Sequence, residues 1–355
     1  LLPRDQGFDY AVGGDEQGHP PSHFYPYLRR GRGLPDLSPP GYDEAAADPA
    51  RADEYLTDRV TEEALRFLDG NGEQPWFLMV SHYAVHTPIQ APDVEVARFR
   101  DKPAADGHDD PMYAAMVARL DASVGALLDR LEADGAAGDT LVLFTSDNGG
   151  LGGYRDAGVP GSPEVTSNAP LSGGKGMFRE GGIRVPLLAR WPGVIPAAAT
   201  SSEPVQLFDL YPTLLALAGG EPHAPLPLPE KHGGSVPPDG VDLSALLRDP
   251  QAATARDAIY FHFPGYLVSG RNHWRTTPVS VIRSGPWKLL EYYEENRANF
   301  GSRPATVSFR QIVVRVEADS GALADAKQLA DSLTQAIRDG ADFGQVARRY
   351  SEDPT

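Results

Sequence analysis

Between residues 52 and 68 the apolar positions Tyr55, Leu56, Val60, Ala64, Phe67 and Leu68 recur at helical spacing, and Asp69-Gly70-Asn71-Gly72 supplies a stop. The spacing predicts a helix there. A strand follows at 76–80, where Trp76-Phe77-Leu78-Met79-Val80 is too uniformly apolar to be half exposed. Residues 111–134 return to the helical period through Val117, Leu120, Val124, Leu127, Leu128 and Leu131, with Gly135 and Gly138 beyond the end. The next apolar run, 139–144, leads into Ser146-Asp147-Asn148-Gly149-Gly150 and reads as a buried strand. Strand, helix and strand in that order predict a βαβ crossover, and hence a parallel sheet covered by helices.

A loop of roughly thirty residues then separates Gly149 from Ile183, and loops of that length inside a compact domain are usually functional. It contains Ser172-Gly173-Gly174-Lys175-Gly176 and Arg179-Glu180-Gly181-Gly182. Residues 183–189 read as another strand, stopped by Trp191-Pro192-Gly193, and 205–218 as a helix broken at Pro212. After a Pro/Gly/His-rich connection at 219–240, short extended pieces at 258–263, 279–283 and 287–293 predict a smaller antiparallel sheet. The first fifty residues, rich in Gly, Pro and aromatics, predict irregular surface structure without a core element. Beyond a polar joint at 297–304, residues 307–314 read as a strand. Residues 322–338 follow as a helix with Ala326, Leu329, Ala330, Leu333 and Ile337 on one face, and a last short helix carries Phe343, Val346 and Ala347.

Length and charge narrow the classes. A chain of 355 residues can bury a large core, as two domains or as one with an appendage. With 32 basic and 49 acidic residues the net charge is −17, which argues against a nucleic-acid or anionic-membrane binder but leaves room for a small anion in a locally basic pocket. No apolar run approaches the roughly 18 residues of a membrane span. The opening Leu1-Leu2-Pro3-Arg4-Asp5 has no initiating Met and is no signal peptide, so the chain reads as a piece of something longer. Cysteine is absent, which removes disulfides, thiolate metal sites and cysteine nucleophiles.

The chemistry centres on the end of the 139–144 strand. A carboxylate and an amide at the carboxyl end of a strand, Asp147 and Asn148, suit a hard cation such as calcium or magnesium. Asp-Asn-Gly is equally ordinary turn chemistry. His86 follows the first strand and Lys175 sits between glycines on the long loop; singly, these also fit a loop histidine and a solvated charge. Arg179 and Arg184 are available to attract an anion, with Arg184 reading better as a structural ion-pair partner. His262, in Phe261-His262-Phe263-Pro264, either reaches a site mouth or packs within a strand.

Taken in order, these segments resemble the sulfatases of the alkaline-phosphatase-like superfamily. The resemblance runs through Gly7-Phe8-Asp9, Trp76-Phe77-Leu78 to His86-Thr87-Pro88, Thr145-Ser146-Asp147-Asn148-Gly149, and Gly173-Gly174-Lys175-Gly176 with Glu180-Gly181-Gly182-Ile183-Arg184-Val185-Pro186. It continues in Asp209-Leu210-Tyr211-Pro212-Thr213-Leu214-Leu215, Asp239-Gly240-Val241-Asp242-Leu243 and Arg283-Ser284-Gly285-Pro286-Trp287-Lys288-Leu289, covering roughly residues 1–297. It implies an alkaline-phosphatase-like α/β fold: a mostly parallel sheet flanked by helices, with a smaller antiparallel C-terminal subdomain. It also implies calcium bound by Asp147 and Asn148, and a sulfate group contacted by His86 and Lys175. Sulfatases further use a formylglycine made from Cys or Ser in a C/S-x-P-x-R pattern. This chain has no Cys, and Ser202-Glu203-Pro204-Val205-Gln206 lacks the Arg. The N-terminal paired aspartates of the family are also missing. The expectation is therefore a sulfatase without its N-terminal third, inactive as this chain alone.

Residues 307–314 and 340–354 resemble the first half of a parvulin-type prolyl isomerase, with Gln311 where many parvulins have His. The expected organisation is an α/β domain at 1–218, its C-terminal subdomain at 219–297, a linker at 298–306 and a partial α+β parvulin-like segment at 307–355. The expected function is calcium-dependent hydrolysis of a small aryl or carbohydrate sulfate, with His262 at the substrate mouth, in the periplasm or outside the cell. The alternatives are a phosphatase or phosphodiesterase of the same superfamily, and a non-catalytic peptide-binding or isomerase-like module in the tail.

Overall fold

Helix α1 (Leu56–Asn71) forms where the apolar spacing places it, and α2 (Asp93–Ala97) and α3 (Pro111–Ala133) follow. The computed structural model describes residues 2–14, 18–71, 74–159, 162–227, 233–270, 273–293 and 308–310, with Ser332 and Gln335. Pro111 opens α3 at a position whose N–H has no intrahelical acceptor. Asp110 caps the helix, its Oδ1 accepting from the Met112 and Tyr113 N–H groups at 2.9 and 3.1 Å. Leu56, Ala64 and Leu68 of α1 and Ala115, Met116 and Leu131 of α3 are buried, and the two helices pack together. A polar relay joins them within that interface: Thr61 Oγ1 lies 2.6 Å from Ser123 Oγ, which lies 3.0 Å from His82 Nε2.

The chain divides into two compact units, one of Leu1–Thr254 with Val268–Arg275, the other of Ala255–Leu267 with Thr276–Thr355. In the first unit, β1 (Val142–Thr145) pairs antiparallel with β2 (Leu187–Arg190), Val142 opposite Arg190 and Thr145 opposite Leu187. The strand expected from residue 183 begins later, because Glu180–Ile183 forms a short helix, α4. Helix α5 (Leu210–Leu217) is not broken at Pro212. The proline stands in the first turn, where its missing N–H is tolerated. The hairpin β3 (Leu226–Pro227) and β4 (Ser235–Val236), the short α6 (Ser244–Arg248), and a pair β6 (Leu267–Gly270) and β7 (His273–Thr276) complete the elements outside the main sheet of the second unit.

Two expectations need correction. The first fifty residues hold a core after all: Tyr27, Leu34 and Leu37 are at most 1% exposed and pack with Tyr25 and Leu56. Aromatic and leucine side chains interspersed among Pro and Gly thus bury without regular structure, the Tyr27 hydroxyl donating to Glu54 Oε1 at 2.7 Å. Residues 76–80 run without a ladder partner among the described residues, so the parallel pairing with β1 does not close there.

The second unit carries a four-stranded sheet in the order β10-β9-β8-β5, from β5 (Ile259–Phe263), β8 (Val279–Ser284), β9 (Trp287–Tyr293) and β10 (Ser308–Arg310). Its pairings are antiparallel, as the alternation predicts, and Ile259, Val279, Val281 and Leu290 are its buried side chains. Of the tail, β10 falls inside the strand expected at 307–314. The helix expected at 322–338 and the last short helix lie outside the described residues, apart from Ser332 and Gln335 in helical backbone.

Candidate functional site

β1 ends at Thr145, whose hydroxyl donates to the Pro186 carbonyl at 2.9 Å, and Ser146 Oγ donates to the Asn148 carbonyl at 2.9 Å to shape the turn. Asp147 is exposed at the tip, and Asn148 Nδ2 donates to Asp147 Oδ1 at 3.0 Å. The long loop is brought against this turn by backbone packing. Gly149 N donates to Gly182 O at 2.9 Å, and Lys175 N donates to Gly150 O at 3.0 Å. A side chain cannot be fitted between these strands of loop: a Cβ on Gly174 would stand 2.0 Å from Gly152 O, and one on Gly149 would stand 1.7 Å from Gly181 O. Asn168 sits at the centre. Its Oδ1 accepts from Gly150 N at 2.9 Å, and its Nδ2 faces Gly150 O, Gly152 O and Gly173 O at 3.1, 3.2 and 3.1 Å.

Lys175 is fixed from behind by Tyr154, fully buried, whose hydroxyl donates to the Lys175 carbonyl at 2.8 Å. Burial pushes the Tyr154 phenol up to about 12, so it remains a donor. Burial also lowers the Lys175 ammonium pKa; the Asp147 carboxylate works against that shift and the Arg275 guanidinium adds to it. His86 stands in the same field. Its pKa is lowered first by burial, while its bond to the Thr87 carbonyl opposes the shift, and the charges of Lys175 and His19 push down against the pull of Asp147. Lys175, His86 and Asp147 therefore act on one another electrostatically.

Each member is held by neighbours that sequence reading missed. His86 Nδ1 lies 2.9 Å from the Thr87 carbonyl and donates to it, leaving Nε2 as the proton-accepting nitrogen. The His86 carbonyl accepts from Nε2 of His23, a completely buried histidine, at 2.9 Å. His19 stacks on the His86 ring with centroids 5.8 Å apart. Arg275, on β7, lays its guanidinium 4.8 Å from the centre of the Tyr154 ring. The signal for His23 and His19 was faint, two histidines in a Pro-rich segment that reads as surface.

His262 is an exposed residue of β5 in the second unit, its Nδ1 3.0 Å from Ser280 Oγ. Arg179 is exposed and donates to Ser172 Oγ at 3.1 Å. Arg184 is also exposed and makes no ion pair among the described residues, against the structural role expected of it. Glu203, beside Ser202, accepts from the Thr254 N–H and hydroxyl at 2.8 and 2.6 Å, which ties that segment to Thr254. Asp209 is a buried structural acid: its carboxylate accepts from Gln206 N at 2.7 Å and Val241 N at 3.0 Å, joining two of the motifs.

As cation ligands, Asp147 and Asn148 have the right oxygen donors but too few. Calcium takes roughly six to eight oxygens, and no group of three or more His, Asp or Glu side chains able to hold a metal exists among the described residues. By themselves these residues do not make a complete cation site.

The family model for sulfatases matches residues 3–220 of this chain. The chain belongs to the sulfatase family. The model for the N-sulphoglucosamine sulphohydrolase C-terminal region matches residues 174–300, and that for the PPIC-type PPIASE domain matches residues 295–355. A sulfatase of Formosa agariphila is 34% identical over 260 residues, 68% of this chain and 42% of that protein. Human steryl-sulfatase is 35% identical over 218 residues, 61% of this chain and 34% of that protein. The chain thus spans less than half the length of these curated relatives. The crystal structure of Ps i-CgsB in complex with k-i-k-neocarrahexaose shares 33% identity at a TM-score of 0.51, covering 68% of this chain and 47% of that one. BT4656, solved in complex with its substrate D-glucosamine-2-N,6-O-disulfate, shares the fold at 18% identity and a TM-score of 0.54, over 87% of this chain and 72% of its own. The expected alkaline-phosphatase-like α/β fold is the fold of these sulfatase structures. No helix of the described residues is long and apolar enough to cross a membrane.

Proposed function

We propose that this chain carries the sulfate-handling half of a sulfuric ester hydrolase acting on a small aryl or carbohydrate sulfate, exported to the periplasm or beyond. The observation that carries the reading is that Lys175, His86 and Asp147 act on one another electrostatically, with Lys175 on a loop whose geometry glycine packing dictates. A sulfuryl group places negative charge on several oxygens. The Lys175 ammonium, already partly stripped of water, is suited to hold them. His86 is biased toward the neutral form in the free protein, and an arriving anion would reverse that bias by favouring the imidazolium. Bound substrate thus recruits a proton to Nε2, where it is available to a leaving oxygen. Relatives solved with sulfated or carrageenan sugars favour a carbohydrate sulfate.

Asp147 and Asn148 are the two donors this chain offers a calcium ion, with weak affinity because the set is incomplete, and no chemical step is assigned to the ion. Turnover is expected to be absent. The chain has no cysteine, and Ser202-Glu203-Pro204-Val205-Gln206 lacks the arginine of a formylglycine precursor. Titrating the chain with an aryl sulfate while following the His86 ring by NMR tests the reading: the His86 pKa rises on binding, and Lys175→Ala weakens binding at least about tenfold, or 1.4 kcal/mol. An unchanged His86 titration with equal binding by Lys175→Ala would sink the site. Turnover with calcium clearly above the Lys175→Ala control would refute the expected inactivity.

A further inference from the structure

In a chain with 49 acidic residues, residues 258–290 contain no Asp or Glu at all, but carry Arg271, Arg275, Arg283 and Lys288. Arg275 belongs to the first unit and contacts Tyr154, which holds the loop of Lys175. The buried Tyr154 ring bridges them: its hydroxyl holds the Lys175 carbonyl at 2.8 Å, and its face supports the Arg275 guanidinium at 4.8 Å. Arg275 is half-buried, donates through Nε to Ser162 Oγ at 3.4 Å, and forms no ion pair among the described residues. Glu164, whose charge is felt by the same tyrosine, accepts instead from the Arg155 N–H at 2.7 Å.

Two cations held at one tyrosine repel each other, and Arg275 helps to depress the pKa of Lys175. Such an arrangement is unfavourable in the empty protein and favourable when anions occupy it. A guanidinium presents a planar fork of donors matched to the oxygens of a second anionic group, and stacking on Tyr154 fixes its plane. Lys175 is a compact charge that suits the sulfate at the reacting position. We propose that Arg275 is a specificity-determining residue that reads a second sulfate of the substrate, beside the one held by Lys175 and His86. This inference rests on the sulfate-site reading above, and it makes the preferred ligand a polysulfated sugar instead of a lone monosulfate.

The test compares a monosulfated disaccharide with its bis-sulfated counterpart, titrated at low salt into the full chain and into Arg275→Gln, Arg275→Lys and Lys175→Ala. The full chain is expected to bind the bis-sulfated sugar about tenfold more tightly. Arg275→Gln erases that preference and leaves monosulfate affinity within about twofold, while Arg275→Lys restores part of the preference. If Arg275→Gln weakens both ligands equally, the residue only props Tyr154 and the proposal is overturned. It is also overturned if the full chain binds the monosulfate with no preference for the second sulfate, a result that leaves the sulfate site itself standing. Failure of either sugar to bind, with Lys175→Ala indistinguishable from the parent, removes the sulfate site and this inference together.

Discussion

The loop that carries Lys175 and the apolar segment that precedes His86 solve opposite problems. In the loop, residues 149–182, few apolar side chains are involved; glycine backbones meet within distances that exclude a Cβ, and Asn168 satisfies the carbonyls and N–H groups trapped between them. In residues 76–80 every side chain is apolar, yet Phe77 and Met79 are 55% and 65% exposed. Leu188 on β2 is likewise 60% exposed. The site is therefore held by backbone geometry and polar satisfaction, not by burial of the strands that lead to it. Damage to one region should be costly where the sequence looks least structured, and harmless where it looks most like core.

The largest expected effect lies in the loop. Gly174→Ala would place a Cβ 2.0 Å from Gly152 O and 2.6 Å from Gly150 O, backbone atoms that cannot move aside alone. A loss of at least about 3 kcal/mol, or local release of the loop, follows from overpacking against backbone. Urea unfolding and amide exchange at residues 149–182 would read it. A stable variant with native exchange rates would show that the loop is not dictated by this contact.

A smaller effect concerns His23, which holds the His86 carbonyl. Burial lowers its pKa from 6.5 to about 4. Between those values the unfolded chain binds a proton that the folded chain refuses, so stability is complete above about pH 6.5 and falls as pH drops toward 4. The slope from this one group is at most roughly 1.4 kcal/mol per pH unit. His82, buried against Ser123, shifts the same way to about 4 and adds its own slope. His23→Gln can still donate to His86 but does not titrate. It is expected to flatten the acid limb of a urea-midpoint profile by up to that amount, and an unchanged profile would mean that His23 is already protonated in the fold.

These comparisons also show what the sequence could reveal. Helices α1 and α3 were legible because their apolar period and the Asp110-Pro111 start act locally. Asp147, Asn148, His86 and Lys175 were proposed from ordered motifs, Asp147 and Asn148 lying just past the end of β1. The supports were not legible: Tyr154, Asn168, His23 and Arg275 act across 16 to 121 residues of sequence, through contacts that no local pattern announces. The buried aromatic knot of residues 25–37 was misread for the same reason, because burial there comes from long-range contact with α1 and not from periodicity.

The smallest expected effect is the sharpest test of the comparison. Fully burying a Phe or Met side chain is worth about 1.5–3 kcal/mol, whereas substitutions on an exposed surface usually stay within about 0.5 kcal/mol. Phe77 is tilted against Phe8, ring centroids 6.0 Å apart, and Met79 is the more exposed of the two. Phe77→Ser and Met79→Ser are therefore expected to shift the urea midpoint by no more than that surface value, and to reduce self-association by removing apolar area from an unpaired edge. A cost near 2 kcal/mol for Met79→Ser would mean that residues 76–80 are covered in solution. The apolar pattern would then have reported burial correctly, and the contrast between loop and strand would reduce to one of chemistry instead of exposure.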